Sequence, residues 1–417
     1  MKIVIDEKIP FIRGVFERWA DVVYSPGRQI DARTVKDADA LIVRTRTKCN
    51  SDLLKGSSVR IVASATIGYD HIDTEWLEAN GIVWASAPGC NSGSVMQYIT
   101  SLLLFLAGKH NLDLQSMTLG VVGVGNVGSK VERAARALGM RVILNDPPRE
   151  RSEGRQAVTL QAGARQGTAS TIHETTGTIH ETPGIIHETA GTEFHHLHKL
   201  LTESDILTLH VPLTREGEDK TFHLLNKENL PLMKRSAILV NTSRGEVVDT
   251  TALREALTTG LLRGAALDVW EGEPAADPQL VDLADIATPH IAGYSVDGKA
   301  NATISSVRRV AKELYLPLTE WVPAALPQPA EPVIDLTHPG GSRQTPGRSV
   351  DLVATAVHHT YPIEEDDNLF RNGKENFEYL RDNYRIRREF GSYTVKTGDA
   401  GAARIMSELG FRIIKQQ

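Results

Sequence analysis

Arg244, Glu273 and His290 stand in three short motifs: NTSRG (241–245), DVWEGEP (268–274) and PHIAGY (289–294). Each motif follows a brief apolar run that reads as a buried strand. Brought together, an arginine, a carboxylate and an imidazole suit the oxidation of a 2-hydroxy acid. That reaction needs a base for the hydroxyl proton while hydride leaves C2. His290 has the side chain that changes charge near neutrality. Glu273 can orient the imidazole and stabilise its protonated form. Arg244 offers a planar fork for the substrate carboxylate and polarises the oxygen on C2. Singly, each residue has an ordinary explanation as a surface charge or a structural histidine. Their succession at strand ends is what favours chemistry.

A hydride needs an acceptor, and TLGVVGVGNVG (118–128) provides for one. Gly123, Gly125 and Gly128 form G-x-G-x-x-G directly after a strand and at the opening of a helix. The first glycine permits the tight turn, the second lets the backbone approach a pyrophosphate, and the third lets helix and strand pack closely. The phosphates then meet the positive end of the helix. Asp146 ends the next strand and is placed to accept hydrogen bonds from a ribose, which favours NAD over NADP. Arg149, three residues on, is the one feature that points toward a 2′-phosphate.

The elements that must position these residues alternate along the chain. Strand-like runs occur at Lys2–Asp6, Ala40–Arg44, Arg60–Ala65, Gly81–Ser86, Thr118–Gly123, Arg141–Asp146, Asp205–Val211, Ala237–Thr242, Gly264–Trp270 and Asp285–Thr288. Val, Ile and Leu dominate them without polar alternation, the pattern of parallel strands covered on both faces. Helix-like stretches such as Asn126–Leu138 and Thr250–Thr259 lie between them. The expected fold is therefore α/β and doubly wound. With 417 residues, two or three domains are expected. A net charge of −6 disfavours non-specific nucleic-acid binding. Two cysteines, Cys49 and Cys90, cannot make a disulfide scaffold and suit a reducing cytoplasm. No run approaches the roughly 20 apolar residues of a membrane helix, and the N-terminus does not read as a signal peptide.

Two regions break the alternation. Residues 154–192 contain TIHETTG (171–177), TIHETPG (178–184) and IIHETAG (185–191), which read as a low-complexity surface insertion. His173, His180, His187, His195, His196 and His198 with Glu174, Glu181 and Glu188 could hold zinc or nickel. The preferred explanation is that the histidines recur because the unit does, and no metal is assigned. Pro317–Arg348 is rich in Pro and Gly and reads as a linker. After it, Asn376–Tyr384 and Ala402–Leu409 are expected as helices of a small C-terminal domain.

The order Arg, Glu, His behind a Gly-rich turn resembles the D-isomer-specific 2-hydroxyacid dehydrogenase superfamily. APGCN (87–91), NDPPR (145–149), LDVWEGEP (267–274), HIAGYS (290–295) and the tail FEYLRDNYRIRREF (377–390) resemble, more narrowly, its branch acting on a 4-phosphorylated acid. The resemblance spans nearly the whole chain except about 154–192. It implies two Rossmann-like domains with a cleft between them. These are a substrate-side domain, 1–93 with a returning helix at 296–316, and an NAD-binding domain at 94–295. A C-terminal α+β domain at 332–417 would mediate homodimerisation. It implies Arg244, Glu273 and His290 as catalytic residues. NAD would be held by Gly123, Gly125, Asn126, Val127, Gly128, Asp146, Val211, Thr242, Asp268 and Gly293. Val211 departs from the pattern, which often has Thr there. Thr45, Thr66 and Tyr294 would meet the substrate, with Arg46 beside its phosphate. The implied reaction is NAD-dependent oxidation of 4-phospho-D-erythronate in pyridoxal 5′-phosphate biosynthesis. Two alternatives stay open: another substrate within the superfamily, such as 3-phosphoglycerate, and an NAD-sensing co-repressor-like protein.

Low-complexity surface insertions add little to a core. Deleting residues 165–191 is expected to leave soluble yield and turnover largely intact. Loss of soluble protein on deletion would show that the repeat packs against the rest of the chain.

Overall fold

The computed structural model describes residues 1–153, 193–337 and 349–415. The His-Glu-Thr repeat and the expectation of a surface loop there lie outside the described residues. The chain folds into two compact units. One comprises Met1–Val95, Gly293–Val333 and Arg385–Tyr393. The other comprises Met96–Ala292, Ile334–Tyr384 and the chain from Thr394 onward.

The first unit is built on a parallel sheet of β1 (Lys2–Asp6), β2 (Asp21–Ser25), β3 (Ala40–Val43), β4 (Ile61–Ser64) and β5 (Val83–Ala85), in the order β2-β1-β3-β4-β5. Successive side chains of a strand point to opposite faces, and both faces here are apolar. Ile3, Ile5, Ala40, Ile42, Ile61 and Ala63 pack on one side. Val4, Leu41, Val43 and Val62 pack on the other. The long helix Val296–Glu313 brings Val307, Val310 and Ala311 onto the first of these faces. It covers that face of the sheet with residues from far downstream in the chain.

The second unit holds β6 (Thr118–Val122), β7 (Arg141–Asn145), β8 (Ile206–Leu209), β9 (Ile238–Asn241), β10 (Gly264–Leu267) and β11 (Ile286–Ala287), all parallel, in the order β11-β10-β9-β8-β6-β7. The order reverses between β6 and β8, which makes this the ligand-binding switch point of a doubly wound sheet. Where description resumes after the insertion, Phe194 bridges in parallel to Leu144, and the His195 N–H donates to the Leu144 carbonyl at 2.8 Å. The chain thus re-enters on the outer edge of β7, where a third strand of that half belongs.

The ten expected strands all form, most of them shorter than expected. Strand β2 is an addition to them, because its residues are half-exposed at a sheet edge and carry little apolar pattern. The helix Ser92–His110 is a further addition. Part of the expected linker is in fact a strand. β12 (Val333–Asp335), with buried Ile334, joins β13 (Thr394–Thr397) and β14 (Arg412–Lys415) in a three-stranded sheet ordered β12-β13-β14. The expected C-terminal helices occur at Phe377–Asp382 and Ala400–Leu409. Phe370 and Phe377 join the main core of the second unit, together with Leu239, Leu267 and Trp270. Phe370 lies 5.8 Å from the Trp270 ring. Among the described residues, no helix is long and apolar enough to cross a membrane.

Candidate active site

The Gly-rich turn in the second unit has the geometry that nucleotide binding needs. Gly123 has φ +86°, and a side chain there would lie 2.5 Å from the His210 carbonyl oxygen at the end of β8. A Cβ at Gly128 would come within 1.9 Å of the Gly123 carbonyl oxygen, so only glycine lets the helix Gly128–Ala137 start this close to β6. Above Gly125, by contrast, there is open space. Gly125 and Asn126 are exposed. The turn is therefore closed toward the protein and open where a pyrophosphate would lie, at the end of a helix that favours anions. Val127 is the N-cap of that helix. Half-buried Val211 follows β8, with Cγ1 against the Gly123 turn. Asp146 follows β7, and its Oδ2 accepts the Val124 N–H at 2.8 Å. The Arg149 N–H donates to the same carboxylate at 3.1 Å, and its guanidinium donates to Glu153 at 2.6 Å and to the Val124 carbonyl at 2.9 Å.

His290 and Glu273 do meet. Nδ1 of His290 lies 2.8 Å from Oε2 of Glu273. The other carboxylate oxygen accepts the Trp270 N–H at 3.0 Å, so Glu273 is anchored by its own loop. Burial pushes the Glu273 carboxyl upward. The His290 charge, the two hydrogen bonds and the nearby Arg381 charge outweigh burial and hold it below the ordinary glutamate value. An ionised Glu273 favours the tautomer in which Nδ1–H of His290 donates to it. The Nε2 lone pair is then the one that can take a proton.

The loop bearing His290 is held from beneath by Asp268. This carboxylate is 1% exposed. Oδ1 accepts from the Thr288 hydroxyl at 2.7 Å and from the Ile291 N–H at 2.7 Å, and Oδ2 accepts from the Ala292 N–H at 2.9 Å. The Asp268 carbonyl accepts the His290 N–H at 2.6 Å. His290 itself has φ +57°, a left-handed conformation uncommon outside glycine. Burial raises the Asp268 pKa. Asp268, expected as a cofactor contact, directs its carboxylate at the loop that carries His290.

Arg244 follows β9, and its guanidinium donates to the Ser243 carbonyl at 2.9 Å. Next to it, a Cβ on Gly245 would lie 2.0 Å from the Trp270 carbonyl carbon. Gly245 thus lets the NTSRG loop pack on the backbone of DVWEGEP. Thr242 lies 3.4 Å from Nδ1 of His210, a histidine whose burial lowers its pKa to about 3. Gly245, the anchoring Trp270 N–H and Thr288 are supports of this arrangement beyond the residues expected from the sequence. The motif W-E-G-E-P carried the signal for the second of these, because a loop glutamate three residues on can reach back to a backbone N–H.

The expected substrate residues belong to the first unit. Thr45 and Arg46 are exposed just past β3. Thr66 follows β4. Its hydroxyl lies 2.6 Å from that of Ser64 and donates to the Gly68 carbonyl at 3.0 Å, while Ser64 lies 3.1 Å from Nε2 of His71. Burial lowers the His71 pKa to about 4, so it orients this chain as a neutral ring. Gly293 packs on Asn91: a Cβ there would lie 2.0 Å from Asn91 Nδ2. The ring of Tyr294 faces the Lys299 ammonium at 4.7 Å.

A Gly-rich turn at the strand-order reversal, with a His–Glu pair hung from neighbouring strand ends, is the nucleotide half of a hydroxy-acid dehydrogenase. Residues 106–176 and 173–292 match the model of the D-isomer specific 2-hydroxyacid dehydrogenase NAD-binding domain, and residues 344–410 match a domain of unknown function. Among solved structures, a D-lactate dehydrogenase from Aquifex aeolicus, complexed with NAD and lactic acid, superposes with a TM-score of 0.56 at 25% identity. The match covers 76% of this chain and 96% of that one. An erythronate-4-phosphate dehydrogenase from Bacteroides thetaiotaomicron is 42% identical over 95% of this chain and 99% of its own length. One from Escherichia coli is 37% identical over 99% of both chains. The chain belongs to the erythronate-4-phosphate dehydrogenase family, NAD-dependent oxidoreductases acting on a CH–OH group.

Because its folded pKa is depressed, ionised Glu273 contributes stability above the pKa of an unfolded glutamate. That contribution is lost as pH falls through the lower, folded value. Glu273→Gln is expected to lose less stability than the wild type between pH 6 and pH 3 in denaturant titrations. Identical pH profiles would show that the pair carries no linkage.

Proposed function

We propose that this chain oxidises 4-phospho-D-erythronate at C2 to 2-oxo-3-hydroxy-4-phosphobutanoate, on the route to pyridoxal 5′-phosphate. The observation that carries this reading is the 2.8 Å contact between His290 Nδ1 and Glu273 Oε2, in a chain of this family. NAD, when bound along the Gly123–Gly128 turn with its ribose toward Asp146, supplies the hydride acceptor. Arg244 binds the substrate carboxylate and draws electron density toward the C2 oxygen. Nε2 of His290 takes the hydroxyl proton as the C2–H bond breaks and C2–O becomes a carbonyl. Glu273 stabilises the resulting imidazolium across the Nδ1 hydrogen bond. One proton goes to His290 and the hydride leaves C2, so the substrate loses two hydrogens.

Thr45, Thr66 and Tyr294 serve as substrate contacts, and Arg46 stands on the phosphate side. A phosphate monoester carries nearly two negative charges, and an arginine fork suits it. The protein works as a cytoplasmic homodimer, in which residues 332–417 act as the dimerisation domain. The domain bounds of 1–93 with 296–316, and 94–295, belong to the same reading.

The deciding assay is NAD reduction with 4-phospho-D-erythronate as substrate. His290→Ala should lower turnover roughly 10²-fold or more, the scale of a lost general base. Wild-type turnover in that variant would remove the role assigned to His290. Arg46→Ala should raise KM for the phosphorylated acid far more than for an unphosphorylated analogue, and equal effects on both would make Arg46 a structural residue. Sedimentation equilibrium should give twice the 45.6 kDa chain mass. Removing residues 332–417 should give insoluble protein, because Phe370 and Phe377 leave the core of the second unit. A soluble, intact dimer after truncation would refute the assembly claim.

A further inference from the structure

The tail motif contains a short stretch whose role the reaction does not use. Arg385–Tyr393 leaves the elements that flank it in sequence and belongs to the first unit. There it grips one turn, that of Ser295–Asp297. The Val296 N–H donates to the Arg387 carbonyl at 2.8 Å. The Arg388 guanidinium makes a two-armed pair with Asp297, at 2.9 Å from Nε and 2.9 Å from Nη2. The Glu389 N–H donates to the same carboxylate at 2.9 Å. Glu389 Oε1 accepts from the Ser295 hydroxyl at 3.0 Å and from the Ser94 hydroxyl at 2.9 Å.

Ser295 is the N-cap of the helix Val296–Glu313, its oxygen accepting the Gly298 N–H at 2.8 Å. Ser94 lies in the first turn of Ser92–His110. Glu389 therefore places a carboxylate over the starts of two long helices, where negative charge is favoured. It comes close enough to Gly93 that a Cβ there would lie 2.1 Å from its Oε2. Arg388 keeps only 8% of its side chain exposed, so its pair with Asp297 is shielded from solvent and holds a fixed geometry. The residues immediately before the gripped turn are Gly293 and Tyr294.

We propose that Glu389 and Arg388 are positioning residues that fix the Ser295–Asp297 turn, and so set how well Tyr294, the residue just before it, meets the phosphorylated acid. The inference rests on the reading of Tyr294 as a substrate contact. The tail then has a part in substrate affinity besides its part in folding. A side chain held to within about 0.5 Å by such a shell loses binding when the shell is cut, while chemistry at a separate centre is spared.

The test uses the full-length chain and three variants: Glu389→Ala, Glu389→Gln and Arg388→Met. Glu389→Ala should raise KM for 4-phospho-D-erythronate about ten-fold, with kcat changed less than about three-fold. Glu389→Gln, which keeps an acceptor oxygen, should recover part of that loss. It also serves if the alanine variant does not fold. In a Tyr294→Phe background the effect of Glu389→Ala should shrink, because the two act on one contact. Hydrogen exchange at the Val296 and Gly298 amides should quicken in each tail variant, while amides of β1, β3 and β4 keep their rates. Unchanged KM in a wild type that turns over, or full additivity with Tyr294→Phe, would overturn the proposal. If the wild type fails to oxidise the acid, the functional reading falls, and exchange at 296–298 decides the positioning claim: unaltered rates there overturn it.

Discussion

The buried carboxylate of Asp268 is the constraint on which the path of the His290 loop depends. A carboxylate this far from water persists only when hydrogen bonds replace its hydration. Here the replacements are the Thr288 hydroxyl and the N–H groups of Ile291 and Ala292. These donors bracket His290. The carboxylate thus converts the cost of its own burial into a fixed path for the loop, and the left-handed backbone of His290 is held because its neighbours are tied on both sides. Removing the carboxylate would leave buried donors without acceptors, a larger loss than the three bonds themselves. Glu273, anchored by the Trp270 N–H, completes the constraint from the neighbouring loop.

The parallel sheet turns this local order into a site. All strands of β6 to β11 point the same way, so the loops after β9, β10 and β11 emerge at one end. Glycine then lets them approach. Gly245 allows the loop of Arg244 to lie on the backbone at Trp270, and Gly123 and Gly128 allow the nucleotide turn to fold tightly against β6 and β8. The distance between functional groups is set by backbone contacts that a Cβ would prevent.

The C-terminal segment contributes to both units and does so by different physics. Phe370 and Phe377 bury apolar surface in the core of the second unit. Arg385–Tyr393 instead uses charge and hydrogen bonds on the first, through Asp297, Ser295 and Ser94. The motif FEYLRDNYRIRREF is divided accordingly: its aromatic start belongs to a core and its charged end to a helix terminus.

By itself the sequence determined the doubly wound α/β class, the ten strands flanking the motifs and the Gly-rich turn, and it singled out Arg244, Glu273 and His290 as candidates. Each of these has a local signature: a short run of mostly apolar residues, glycines at fixed offsets, or a reactive side chain just past a strand. Edge strands β2 and β12 had none, because half-exposed residues carry no apolar period. The tertiary structure alone decided what each carboxylate does. Asp146, Asp268 and Glu273 are alike in sequence, each lying at or just past the end of a strand. Their roles differ because one faces the nucleotide turn, one is sealed beneath a loop and one reaches an imidazole. Burial and hydrogen-bond partners come from residues distant in the chain, and only folding brings them together. The same holds for Glu389, whose partners Ser94 and Ser295 stand 295 and 94 residues away.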